Sequence, residues 1–95
     1  KAQDIDRKVR KVIIDSGFGE FFIHRTGHGL GVEVHEPPYI NEGDETIMKE
    51  GMVFTIEPGI YLPDLGGIRI EDDMLITKNG SESLTTLSRN LCPLN

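Results

Sequence analysis

The sequence predicts an α+β fold in which one amphipathic helix accompanies an antiparallel sheet. Apolar residues recur at helical spacing across residues 4–16. Two later runs, residues 52–57 and 68–77, are rich in β-branched residues, with turn-forming proline and glycine between them. We therefore expect the two runs to pair as a hairpin.

Composition restricts the size and the partners of the domain. The chain has 95 residues, of which 37% are hydrophobic, with four Phe, two Tyr and no Trp, so we expect one small domain with an aliphatic core. Sixteen acidic against ten basic residues give a net charge of -6. This charge argues against nucleic acid or an anionic membrane surface as a partner and is compatible with a cation site.

Three further features concern the origin of the chain. Cys92 is the only cysteine, so no intramolecular disulfide forms and we expect a cytoplasmic location. The sequence contains neither an apolar run of membrane-spanning length nor a signal-peptide pattern. It begins inside a charged helical pattern without an initiating Met, which predicts a fragment of a longer protein.

The predicted helix has recognisable ends. Its apolar stripe consists of Ile5, Val9, Val12 and Ile13. We expect Asp4 to be the N-cap, Asp6 to interact with the positive end of the helix dipole, and Gly17 to end the helix in the left-handed conformation. The basic residues are interpreted as a solvated face.

Several short segments complete the prediction. Gly19–Ile23 is predicted as a short strand or extended segment, and the alternation in Val32–His35 predicts a strand with Glu33 and His35 on one face. Two prolines predict a rigid loop for Glu36–Ile40, which excludes a helix or a central strand. We expect a last short strand within Glu82–Leu87.

All three histidines lie in one stretch: His24, His28 and His35. Glycines at 27, 29 and 31 surround His28 and allow the backbone to approach another group closely. Any single histidine of this kind could be an ordinary surface or core residue. Three within twelve positions favour a site without deciding its chemistry.

The hairpin brings carboxylates together. In a register centred near Asp64, Glu57 faces Glu71 and Thr55 faces Asp73. Opposed like charges repel, and a cation between them would remove this cost.

Two alternatives remain open for this pair. The register could be shifted by one residue, or both glutamates could point to water. Arg69, on the same face as Glu71, could also neutralise a carboxylate.

Imidazole with carboxylates is a ligand set for Zn²⁺, Mn²⁺, Co²⁺ or Fe²⁺, and the candidate ligands are His28, Glu57 and Glu71. Two ions sharing carboxylates would acidify a water that attacks a carbonyl. Such a site needs further carboxylates. Asp72 and Asp73 are considered, although Asp72 points to the face opposite Glu71.

Three ordered motifs, His24–Pro38, Thr55–Tyr61 and Gly67–Asp73, together resemble the C-terminal half of the pita-bread (creatinase/aminopeptidase) metallopeptidases. The resemblance extends from the first helix to about Leu87. Within this group the chain is most similar to the Xaa-Pro aminopeptidase and Xaa-Pro dipeptidase (prolidase) branch.

The resemblance implies five ligands for two divalent ions, with Mn²⁺ or Co²⁺ favoured over Zn²⁺ or Fe²⁺. Two are aspartates from the preceding half-domain, and the others correspond to His28, Glu57 and Glu71. Glu57 also corresponds to the general base. By the same resemblance, His35 contacts the substrate and stabilises the tetrahedral intermediate, His24 is a second active-site histidine near the substrate, and Arg69 is an arginine behind the ligands.

The resemblance also sets the domain interpretation. Residues 1–95 would be the C-terminal portion of a pita-bread catalytic domain, without its upstream half, both aspartate ligands or any N-terminal domain. We expect the parent to cleave Xaa-Pro bonds in dipeptides or at peptide N-termini, with a homodimer possible. The piece alone is expected to bind metal weakly and to have little or no activity.

Other readings stay open at this point. Within the same fold they are a methionine aminopeptidase, a creatinase-like hydrolase and a non-catalytic peptide-binding module. A cupin-like barrel is disfavoured because the sequence has no His-x-His pair.

Overall fold

The computed structural model describes residues 1–90, and Cys92 lies outside that range. The described residues form one helix, a 3-10 turn (Gly19–Phe21) and seven strands. These are α1 (Ala2–Asp15), β1 (Gly27–Gly29), β2 (Glu36–Ile40), β3 (Val53–Ile56), β4 (Gly59–Leu62), β5 (Gly66–Arg69), β6 (Asp72–Thr77) and β7 (Gly80–Ser83). Over residues 1–90, no helix has the length and apolar character needed to cross a membrane.

Five strands form one antiparallel sheet in the order β2-β1-β3-β6-β7, and β4 pairs with β5 in a separate two-stranded ribbon. The helix packs near β2 at one edge of the larger sheet. The prediction of an antiparallel sheet with one helix is therefore confirmed.

The hairpin has the predicted register but is divided into two ladders. Thr55 faces Asp73 between β3 and β6, and Gly59 faces Arg69 between β4 and β5. Both pairings are symmetric about Asp64. The prediction of one continuous second strand over residues 68–77 is wrong, because the chain leaves the ladder between β5 and β6.

The core lies between the helix and one face of the larger sheet. Its buried residues are Ala2, Ile40 and Phe54, with Ile5, Met48, Ile56, Met74 and Ile76 packed against them. Because side chains alternate along a strand, Phe54 and Ile56 point into this core while Thr55 points to the opposite face. That opposite face carries the candidate functional residues.

The end of the helix is as predicted, and its start is not. Gly17 has φ +88°, its N–H donates to Ile14 O at 2.9 Å, and the Phe18 N–H donates to Ile13 O at 3.1 Å, the Schellman arrangement. The N-cap is Lys1 rather than Asp4, because the helix already begins at Ala2.

The predicted apolar stripe is only partly correct. Ile5 and Ile13 are partly buried, whereas Val12 is 66% exposed. A small sheet covers only a narrow band of the helix, so the edge of the stripe stays in water.

Two predicted extended segments are wrong. Gly19–Phe21 is a 3-10 turn that directly follows the Schellman motif. Val32–His35 is an exposed series of bends between β1 and β2, where Gly31 N–H donates to Glu33 O at 3.2 Å and turns the chain. Alternation in sequence does not form a strand here because the segment turns the chain from β1 back into its antiparallel partner β2.

The prolines and the last strand also differ from prediction. Glu36–Ile40 is strand β2 rather than a loop, and it lies at the sheet edge, where missing N–H donors are tolerated. Its exclusion from a central position is confirmed. Within residues 1–90, the last strand is Gly80–Ser83 instead of a segment within 82–87, since a turn at Lys78 and Asn79 starts the pairing with β6 earlier.

Candidate metal centre

His28 is held rigidly in the middle of β1. Its side chain is buried, and its backbone N–H donates to Thr55 Oγ1 at 3.1 Å. Nδ1 lies 2.8 Å from Gly29 O. Because a carbonyl oxygen only accepts hydrogen bonds, Nδ1 carries a proton, and in the neutral ring Nε2 presents its lone pair.

The glycines beside His28 let the neighbouring strands approach. A Cβ at Gly27 would collide with the Thr55 carbonyl, and one at Gly29 would collide with the backbone of Glu36 and Pro37. These positions therefore require glycine for close approach, which the glycine spacing in the sequence had indicated.

The lone pair of His28 faces a carboxylate. Nε2 lies 3.3 Å from Glu57 Oε2, and the Glu57 N–H donates to Thr26 O at 2.7 Å just beyond β3. Two acceptors this close need a proton or a metal cation between them. Of the predicted ligands, the structure brings these two into direct contact distance.

Glu71 adds a second carboxylate beside Glu57. Although the residue is exposed, desolvation first, and then the charges of Glu57 and Asp73, raise the pKa of its carboxyl, while His28 acts in the opposite direction. Asp73 Oδ1 is buried without a hydrogen-bond partner among the described residues. This accumulation of acceptors fits a divalent cation.

The centre is not closed. Across residues 1–90, no group of three or more His, Cys, Asp or Glu side chains converges tightly enough to hold a metal ion. The donor chemistry of His28, Glu57 and Glu71 fits such an ion, and further ligands would have to complete it.

Asp72 is excluded from the centre by its own contacts. Thr85 Oγ1 donates to one carboxylate oxygen and Arg89 Nε to the other, both at 2.6 Å. The bond from Thr85, followed by that from Arg89, holds the pKa of Asp72 below its usual range. Of the two aspartates considered from sequence, only Asp73 is on the face of the candidate ligands.

The other two histidines flank the centre differently. The exposed His35 ring lies 4.4 Å from the His28 ring, centroid to centroid. His24 Nδ1 lies 2.7 Å from Arg25 O, and in the neutral ring Nε2 accepts a hydrogen bond from Tyr61 Oη at 3.0 Å. His35 is therefore next to a candidate ligand, whereas His24 is held by the ribbon of β4 and β5.

An open cleft of about 500 Å³ joins several of these residues. It is lined by His24, Arg25, Asn41, Glu57 and Arg69. The predicted substrate histidine His24, the predicted ligand Glu57 and the predicted supporting Arg69 thus share one cleft.

Sequence reasoning missed one buried polar cluster. Asp6, assigned to the helix dipole, is 1% exposed and accepts hydrogen bonds from Thr26 and Arg10. The spacing of Asp6 and Arg10 by four residues was visible in the sequence, but such pairs are common on solvated helix faces.

Known proteins resemble this chain closely. The Xaa-Pro dipeptidase of Pyrococcus furiosus is 56% identical over 90 residues, which cover 95% of this chain and 26% of that protein. The crystal structure of a dipeptidase from Pyrococcus horikoshii OT3 superposes with a TM-score of 0.92 at 57% identity, over 96% of this chain and 26% of that one. The prolidase from Pyrococcus furiosus gives a TM-score of 0.90 at 56% identity, over 93% and 26%.

The chain spans about a quarter of the length of these relatives and corresponds to their C-terminal portion. Its architecture is that of the same portion of the pita-bread fold. The sequence model of metallopeptidase family M24 matches residues 1–78. By this match and these superpositions, the chain belongs to metallopeptidase family M24.

Proposed function

We propose that the whole protein containing this chain hydrolyses Xaa-Pro peptide bonds, in dipeptides or at the N-terminus of longer peptides. The observation that carries this proposal is the approach of His28 Nε2 to Glu57 Oε2 at 3.3 Å, with Glu71 alongside. Membership of a metallopeptidase family and the names of the relatives, Xaa-Pro dipeptidase and prolidase, support the reaction and the substrate.

We propose that two divalent ions, Mn²⁺ or Co²⁺ before Zn²⁺ or Fe²⁺, are held by His28, Glu57 and Glu71 together with two aspartates from the upstream half. When bound, such ions polarise the peptide carbonyl and lower the pKa of an attacking water. Asp73 Oδ1, buried without a hydrogen-bond partner within residues 1–90, and the raised pKa of Glu71 support a cation at this face.

The protein side chains would then divide the remaining work. Glu57 takes a proton from the water as it attacks the carbonyl carbon, and the proton ends on the proline nitrogen when the C–N bond breaks. His35, beside His28, donates a hydrogen bond to the developing oxyanion. His24 contacts the substrate from the cleft, and Arg69 compensates the carboxylate charge there.

The test is a substrate comparison with the full-length protein. We expect rapid hydrolysis of Ala-Pro and much slower hydrolysis of Ala-Ala, with activity lost in chelator and restored by Mn²⁺ or Co²⁺. Preference for Ala-Pro-Ala over Ala-Pro would assign aminopeptidase rather than dipeptidase activity. Removal of N-terminal Met without regard to proline would contradict the proposal and favour a methionine aminopeptidase.

Several further points are proposed. Residues 1–95 form the C-terminal portion of the catalytic domain, and alone they bind metal weakly with little activity, which the open arrangement of donors over residues 1–90 supports. A homodimer rests on the family resemblance. A cytoplasmic location rests on the single cysteine of the sequence.

A further inference from the structure

A buried carboxylate connects the helix to the candidate metal centre. Asp6 on α1 is 1% exposed, and its Oδ1 accepts hydrogen bonds from Thr26 Oγ1 at 2.7 Å and from Arg10 Nη2 at 3.1 Å. A carboxylate this deeply buried is stable only with such partners. We call Asp6, Arg10 and Thr26 the Asp6 network.

Arg10 extends the network toward His24. Its Nη1 donates to Phe22 O and its Nη2 to His24 O, both at 2.9 Å. The guanidinium also lies 4.1 Å from the centroid of the buried Phe22 ring, which packs in a T-shaped arrangement with the His24 ring at a centroid distance of 5.2 Å. A single planar side chain thus fixes the backbone on both sides of Ile23, up to the histidine in the cleft.

Thr26 extends the network toward Glu57. Its N–H donates to Ile40 O at 2.9 Å, and its carbonyl accepts the N–H of Glu57 at 2.7 Å. The hydroxyl of the fully buried Thr26 is bound by Asp6. Thr26 therefore connects the helix carboxylate directly to the backbone of a candidate ligand.

We propose that Asp6 is a positioning residue for the reaction, acting through Thr26 on the ligand Glu57 and through Arg10 on the substrate histidine His24. The inference rests on the proposed function, since it needs Glu57 at the metal and His24 at the substrate. Asp6 itself touches neither group. It sets the geometry of both through hydrogen bonds to Thr26 and Arg10.

The two arms of the network give separable effects. Loss of the Thr26 hydroxyl frees Thr26 from Asp6, so the Thr26 carbonyl holds the Glu57 N–H less rigidly and metal binding weakens. Replacing the guanidinium of Arg10 with an ammonium removes the hydrogen bond to His24 O, so His24 is held less rigidly and substrate binding weakens. A helix anchor without a positioning role would lower stability and change neither quantity.

The experiment uses the full-length protein with Thr26→Val, which removes the hydroxyl but keeps the shape, and Thr26→Ser, which restores it. Calorimetry with Mn²⁺ measures metal affinity, and thermal unfolding is recorded in parallel. We expect Thr26→Val to raise the metal dissociation constant about 10-fold, as other partners behind metal ligands do. Thr26→Ser is expected to retain wild-type affinity.

Arg10→Lys tests the other arm and Asp6→Asn tests both arms, with Asp15→Asn as the matched control. Asp15 pairs with Lys11 at the same four-residue spacing, 2.6 Å apart, on the exposed side of the same helix. We expect Arg10→Lys to raise KM for Ala-Pro several-fold with little change in kcat, because Lys cannot make both hydrogen bonds to Phe22 O and His24 O. Asp6→Asn should change both metal affinity and KM, and Asp15→Asn neither.

The proposal is overturned if Thr26→Val and Asp6→Asn lower the unfolding temperature while metal affinity and KM of the folded protein stay at wild-type values. If Thr26→Val does not fold, Arg10→Lys, which keeps the charge, decides by its KM. If the wild-type protein binds Mn²⁺ but does not cleave Ala-Pro, the proposed function fails, and the metal affinities of the Thr26 pair still decide the positioning role.

Discussion

His28 Nε2 and Glu57 Oε2 lie 3.3 Å apart, while the other ring nitrogen of His28 is occupied by Gly29 O at 2.8 Å. The imidazole is therefore oriented by the backbone before any cation arrives, with its lone pair aimed at a carboxylate. Such an outer hydrogen bond fixes the tautomer of a histidine ligand. The pair of His28 and Glu57 is therefore preorganised by β1 and by the end of β3.

The first prediction concerns the close approach that makes this contact possible. Gly27→Ala would place a Cβ against the Thr55 carbonyl, which is backbone and cannot move aside. We expect a loss of about 1–3 kcal/mol in the free energy of unfolding, the usual cost of overpacking. Urea unfolding of the full-length protein measures it.

Gly31→Ala is the matched control for this change. Its Cβ would meet only the end of the flexible Glu36 side chain, which can rotate away. We expect little loss of stability. Equal losses of stability for the two variants would show that the contact of residue 27 with the Thr55 backbone does not cause the loss.

A second prediction concerns pH. In the metal-free protein the pKa of Glu71 is raised, chiefly by desolvation and then by Glu57 and Asp73, so the folded state holds this proton more tightly than the unfolded state. The resulting stabilisation is complete below the unfolded pKa and is lost as pH rises through the folded pKa. We therefore expect the unfolding temperature, measured in chelator, to fall as pH rises through this range.

Thermal unfolding from about pH 4 to about pH 7 tests it, since this range spans the ordinary glutamate pKa and values above it. Glu71→Gln should flatten the decline, and Mn²⁺ should reverse it by compensating the carboxylates. If Glu71→Gln leaves the pH dependence of the unfolding temperature unchanged, the decline does not come from Glu71.

The third prediction concerns the helix end. Gly17 has φ +88°, a conformation that costs a side-chain residue more than glycine. Gly17→Ala should lower the free energy of unfolding by about 1 kcal/mol, and Gly17→Asn by less, because Asn tolerates this conformation. Equal losses for Ala and Asn would contradict this account of the helix end, which thermal unfolding can decide.

The strand register and the glycine-lined position of His28 could be predicted from the sequence alone. The register of Thr55 against Asp73 was predictable because two β-rich runs flank a turn region symmetric about Asp64. The close approach of the backbone around His28 was indicated by glycines on both sides of the histidine. These features depend on local backbone rules that hold in any fold.

Other features depended on tertiary contacts that local patterns do not carry. The alternation in Val32–His35 predicts a strand, yet this segment is the connection that turns the chain from β1 into its partner β2. The Asp6–Arg10 pair has the same sequence signature on a covered helix face as on a solvated one. β2 was missed because its prolines are compatible with an edge strand, and edge position is a property of the whole sheet.

Glu57 and Glu71 are assigned as metal ligands, and a Mn²⁺ titration of the full-length protein by calorimetry tests this assignment. Glu57→Gln/Glu71→Gln is compared with Glu50→Gln/Glu82→Gln, a pair of exposed residues with the same change in charge. We predict that the first double variant loses Mn²⁺ binding and the second keeps wild-type affinity. Wild-type binding in the first variant, or equal loss in both, would contradict the assignment.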